Sequence, residues 1–117
     1  MKKEDFIKYG LTKKGAREEF KIEWEVTRLL LEDKMFAMIG ENKEGNPIYT
    51  LKCEPELAEI YRKEHKDVIP GYYMNKMHWN SVYINGKVPD SILNEMIDMS
   101  YNLILQSLPK KIKEKYL

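Results

Sequence analysis

Apolar residues recur at helical spacing in three stretches of this chain and in alternating or short continuous runs in four others. Phe6, Ile7 and Leu11 share one side of a short helix over residues 3–12, ended by Gly10 and Gly15. Residues 13–25 (KKGAREEFKIEWE) are polar and poorly periodic, and read as a loop containing at most a turn of helix. From residue 24 to 31 the pattern alternates, with Val26, Arg28 and Leu30 on one face and Thr27, Leu29 and Leu31 on the other. Residues 35–39 form a second apolar run, short enough for a buried strand. Residues 47–53 form a third strand, with Ile48, Thr50 and Lys52 opposite Tyr49, Leu51 and Cys53. A helix over 54–65 is marked by Pro55 in the first turn, by Leu57, Ile60 and Tyr61 as its apolar stripe, and by acids first and bases last. A fourth strand over 79–84 ends at Asn85-Gly86. The last helix runs from Pro89-Asp90 to about 108, with Leu93, Met96, Ile97, Ser100, Ile104 and Leu108 three and four apart.

The predicted order is therefore helix, three strands, helix, strand, helix. Strands in a run flanked by helices indicate an α+β fold. The expected form is an antiparallel sheet of about four to five strands packed by helices on one face. Residues 1–117 read as a single domain with a short basic tail from about 109.

Composition narrows the function classes. The net charge is +1, from 20 basic and 19 acidic residues, which argues against strong non-specific binding to nucleic acid. Charge is unevenly placed, because Lys110, Lys111, Lys113 and Lys115 face only Glu114 in the tail. A single cysteine, Cys53, excludes an internal disulfide and fits a reducing compartment. The start MKKEDF lacks an apolar run, and residues 92–108 are interrupted by Asn94, Glu95, Asp98, Asn102 and Gln106. Neither a signal peptide nor a membrane span is expected, and the expected location is the cytoplasm. A monomer is the expected state.

Candidate chemistry concentrates in residues 71–82, GYYMNKMHWNSV. Lys76, His78 and Asn80 can contact phosphates or base edges, while Tyr72, Tyr73 and Trp79 can stack. The alternative is structural: Trp79 and a tyrosine as core anchors, Asn75 and Asn80 holding turn backbone. Lys110, Lys111 and Lys113 form either a phosphate-contacting tail or a solvated helix end. Cys53, His65 and His78 show no metal-ligand spacing, and no phosphate loop or dinucleotide fingerprint occurs. No catalytic residue, metal or cofactor is therefore expected.

Five blocks carry a family resemblance: KMFAMIG (34–40), LKCEPELAE (51–59), PGYYMNKMHWNSV (70–82), VPDSILNEMIDMSYNLI (88–104) and LPKK (108–111). Together they make the chain resemble the MmcQ/YjbR family of small bacterial proteins. The resemblance implies an α+β fold similar to a double-wing DNA-binding domain, and hence a DNA-binding or transcription-associated role, which the lack of a catalytic constellation makes non-enzymatic. The chain departs from that family pattern at Tyr73, at Met77, and at FKIEW over 20–24. Its near-neutral charge and eight tyrosines favour the other expectation, a protein- or ligand-interaction module without nucleic-acid binding. DNA and another protein are thus the two candidate partners.

Overall fold

Two-residue and four-residue turns set the architecture by forcing successive strands to pair antiparallel. In the computed structural model, which describes every residue except Tyr73, α1 (Lys3–Leu11) leads into β1 (Ala16–Lys21), β2 (Val26–Leu31), β3 (Lys34–Glu41) and β4 (Pro47–Lys52). Then follow α2 (Pro55–Glu64), β5 (Val68–Pro70), β6 (Trp79–Tyr83), α3 (Asp90–Ser107), the short α4 (Lys110–Lys113) and a final 3-10 turn over Glu114–Tyr116. The six strands among the described residues form one antiparallel sheet in the order β1-β2-β3-β4-β6-β5. Leu31 pairs with Lys34 across Glu32-Asp33, and Glu32 adopts a left-handed φ of 55° to make that turn. The β3–β4 turn is held by Asn42, whose Oδ1 accepts from the Glu44 and Asn46 backbone N–H groups at 3.1 and 2.9 Å.

The expected α+β class and the single-sided helix layer match this architecture, while the expected strand count of four to five is corrected to six. Two strands are hidden in the sequence for different reasons. β1 has the sequence AREEFK and lies at the sheet edge, where both its faces are largely exposed; its residues need no apolar alternation. β5 is three residues, too short to show a period.

One face of the sheet carries the core. Phe6, Leu29, Leu31, Ile39, Tyr49, Leu51 and Val82 pack with Ala58 and Tyr61 of α2 and Leu93, Met96, Ile97 and Ile104 of α3. Phe6 stacks on Tyr49 with ring centroids 3.9 Å apart. Phe36 is the extra residue where the β2–β3 register slips at Leu29/Leu30, and Ser100 of α3 bridges β3 to β4 there: its hydroxyl donates to the Phe36 carbonyl at 2.5 Å and accepts from Lys52 N–H at 2.9 Å. Among the described residues no helix is long and apolar enough to cross a membrane.

Candidate functional site

The face without helices is where unassigned structure collects. Register places Glu19, Arg28, Met38, Thr50, Ser81 and Ile69 in one row across all six strands on this open face. Alternation puts Val26 and Ile48 on the same side, and both are buried, at 9% and 1% exposure. Something must cover them, since the described helices pack against the opposite face.

The cover is the loop between β5 and β6. Pro70-Gly71 turns the chain back, and Gly71 N–H donates to the Trp79 carbonyl at 2.8 Å. The approach leaves no room for a side chain: a Cβ on Gly71 would lie 2.6 Å from Trp79 Cβ. The next backbone N–H, of Tyr72, donates to Ser81 Oγ at 3.0 Å, and that hydroxyl shares a hydrogen bond with Thr50 Oγ1 at 2.8 Å. Two buried hydroxyls thereby anchor the loop to the middle of the open face.

Between loop and sheet lies a recess of about 360 Å³. Val26, Met38, Gly40 and Ile48 form its floor, Tyr72 and Met74 one wall, and Trp24 with Glu41 the other. Gly40 keeps the floor level, because a Cβ there would meet Val26 Cγ1 at 2.7 Å. Trp24 is 58% exposed yet held in place by cations, with Lys21 Nζ 4.7 Å and Arg28 Cζ 5.7 Å from its ring centroid. Arg28 Nε also donates to Glu19 Oε1 at 3.0 Å, and this hydrogen bond holds the Glu19 carboxyl below the usual carboxylate range. The arrangement is an apolar slot with a charge-balanced rim.

The residues singled out in the sequence are dispersed. Lys76 and His78 are exposed in the turn before β6, and their backbones are tied down: the Lys76 carbonyl accepts from Arg62 Nη1 at 3.4 Å and the His78 carbonyl from Cys53 N–H at 2.8 Å. Asn80 is fully buried on the helix face and donates from Nδ2 to the Ala58 carbonyl at 3.3 Å. That corrects its expected role, for it presents no surface to a partner. Tyr72 lines the recess, Trp79 is half-buried at the start of β6, and Tyr73 lies outside the described residues. The tail is folded rather than frayed. Ile112 and Tyr116 pack on the core, and the Tyr116 hydroxyl donates to Glu32 Oε1 at 2.8 Å. Lys110 and Lys111 are exposed, while Lys113 is half-buried with Nζ 3.3 Å from Gln106 Oε1. The tail therefore sits on the helix side of the sheet, whereas Lys52 and Trp79 pair on β4 and β6 with side chains toward the open face.

Sequence reasoning missed the recess residues Trp24, Val26, Met38, Gly40 and Ile48. One signal pointed to them: β3 and β4 carry apolar residues on both faces, as in MFAMI and IYTL, so both faces needed cover. Cys53 is buried against Met99, with its thiol 3.4 Å from Sδ, and burial pushes that thiol up to about 11.

Comparison with known proteins completes the picture. The YjbR family model matches residues 11–103. The uncharacterized protein YjbR of Escherichia coli K12 is 38% identical over 107 residues, covering 92% of this chain and 90% of that one. The uncharacterized protein YbdF of Escherichia coli O157:H7 is 32% identical over 82 residues, covering 70% and 66%. The crystal structure of Deinococcus radiodurans protein DR2400 superposes with a TM-score of 0.83 at 26% identity, over 97% of this chain and 86% of that one. A Pseudomonas syringae protein superposes with a TM-score of 0.75 at 25% identity, over 88% and 98%.

Proposed function

We infer that this chain, which belongs to the YjbR family, is a non-enzymatic binding module that receives a flat apolar ligand in the recess between Trp24 and Tyr72. The carrying observation is the recess itself: about 360 Å³, apolar in floor, and built on the one sheet face that helices leave free. That volume falls in the range of roughly 300–1,000 Å³ typical of small-ligand sites. The rim adds orientation without net charge, since Arg28 pairs with Glu19, and Lys21 over Trp24 offsets Glu41. The non-enzymatic part of the reading rests on nucleophile chemistry. The Cys53 thiol stays protonated in its buried setting, and the two histidines lie apart, His65 after α2 and His78 before β6.

Methionine methyl spectra test this directly. Met38 and Met74 line the recess, while Met77 is 63% exposed elsewhere. Titration with indole or 2-naphthol should move the Met38 and Met74 signals together and leave Met77 in place. Trp24→Ala should weaken that binding about tenfold, equivalent to ~1.4 kcal/mol. Uniform small shifts at all methyls, or an unchanged affinity in Trp24→Ala, would refute the reading.

A duplex-DNA role is the competing reading, motivated by the exposure of Lys76, His78, Lys110 and Lys111. If about four cations met phosphates, log affinity would fall against log salt with a slope near −3 to −4. Fluorescence anisotropy of a labelled duplex measures that slope, and no binding at about 50 mM salt would end this reading.

A further inference from the structure

We propose that two copies of this chain join edge to edge through β1, with a twofold axis at Phe20, continuing the two sheets into one. Three observations carry this. The first is an asymmetry between the sheet's two edges. β5 is three residues long and closes on Pro70, which offers no N–H to a neighbour. β1 spans six residues without proline, and its register with β2 is unbroken from Ala16 to Lys21. A regular edge strand of this kind is a template for pairing.

The second observation is a local cluster of exposed apolar side chains. Phe20, Ile22 and Trp24 are 61%, 72% and 58% exposed, and all three sit on β1 or the turn that follows it. Trp24 belongs to the recess wall, whereas Phe20 and Ile22 are absent from its lining.

The third is charge, which selects the register. In an isologous antiparallel pair, residues of the same face oppose each other. Centring on Glu18 sets Glu18 against the partner's Glu18. Centring on Glu19 sets that residue against itself and Arg17 against the partner's Lys21. Centring on Arg17 or Lys21 opposes like cations. Centring on Phe20 places the two Phe20 rings together at the axis, sets Glu19 against the partner's Lys21 twice, and lays Ile22 beside the aliphatic stem of the partner's Glu18. Glu19 retains an acceptor for this, since its Oε2 has Arg17 only at 4.0 Å. Of the registers centred from Arg17 to Lys21, the one on Phe20 alone sets no like charges opposite each other.

Sedimentation equilibrium of the full chain tests it across micromolar to millimolar concentrations. The expected result is a concentration-dependent shift from 14.0 kDa towards twice that mass. Phe20→Lys, which brings two ammonium groups to the axis at an exposed position, should hold the chain at the monomer mass with its circular dichroism unchanged. The charge swap is the sharper arm. Lys21→Glu and Glu19→Lys should each weaken self-association more than tenfold, and an equimolar mixture of the two variants should recover it as a heterodimer. A monomer at every concentration would overturn the proposal, as would a dimer indifferent to Phe20→Lys and to the swap. The Phe20→Lys arm leaves the recess reading untouched, because Phe20 does not line the recess.

Discussion

At the scale of single residues, the stretch 71–82 divides into positions that hold the fold and positions that face outward. Gly71 belongs to the first kind. Its substitution by alanine drives a methyl to within 2.6 Å of Trp79 Cβ and 2.9 Å of the Trp79 carbonyl oxygen, and neither backbone can give way without lengthening the Tyr72–Ser81 hydrogen bond. Gly71→Ala should cost about 1–3 kcal/mol, read as a lowered urea midpoint at constant slope. Asn80→Ala removes the bond to the Ala58 carbonyl in a site closed to water and should cost ~1–3 kcal/mol in the same assay. Lys76→Ala and His78→Ala remove exposed side chains whose backbones make the local contacts, so stability should move by less than ~0.5 kcal/mol. Cys53 is a third case. A thiol pushed up to about 11 is almost wholly protonated near pH 8, so iodoacetamide should label it only after urea unfolding.

Among whole elements, what could be read in advance depended on whether the deciding signal was local. α2 carries its own proline start, apolar stripe and charge gradient, and its observed range Pro55–Glu64 differs from the expected one by a residue at each end. α3 behaves the same way. β1 could not be read because an edge strand with two wet faces has no reason to alternate, and because glycine and charged neighbours resemble those of a loop. The recess was out of reach for a different reason. It exists only where a loop near residue 72 lies over strands near residues 26, 38 and 48, a juxtaposition decided by tertiary contacts. The C-terminal segment shows the same limit: its lysines suggested solvation, but its apolar residues dock it. Tyr116 closes over Gly15 and reaches Glu32, which holds a φ of 55° in the β2–β3 turn. Tyr116→Phe should cost about 0.5–1.5 kcal/mol through the lost hydrogen bond. Tyr116→Ala should cost more and should speed amide exchange at Gly15 and Ala16 ahead of β4.

For the molecule as a whole, stability should fall at strongly alkaline pH, because buried phenols and one thiol are groups whose protonated forms the fold favours. Tyr49 is pushed up to about 12, chiefly by burial and then by the nearby carboxylates Glu4, Asp5 and Asp90. Tyr61 is pushed up to about 12 by burial first and then by Glu95, to which its hydroxyl donates at 3.2 Å. A phenol held above its unfolded value of 10.0 binds a proton in the native state that the unfolded state releases. Its contribution is therefore complete below pH 10.0 and is lost as pH rises through the folded value of about 12. A phenol raised this far contributes about 2–3 kcal/mol, and the same holds for each of the two tyrosines. Losing both removes on the order of 5 kcal/mol, which matches the whole stability of many domains of this size. The chain should therefore unfold cooperatively within the window from pH 10 to pH 12. Absorbance near 295 nm, an approximate band for phenolate, should show the exposed phenols titrating first. Tyr49 and Tyr61 should follow in a steep step that coincides with loss of far-ultraviolet circular dichroism. The variant Tyr49→Phe/Tyr61→Phe starts with fewer hydrogen bonds and a lower neutral stability, yet it has no phenols to ionise at these sites, so its stability curve should be flatter across the same window. Parallel curves for the two proteins would place the alkaline transition elsewhere, on the Cys53 thiol or on general repulsion.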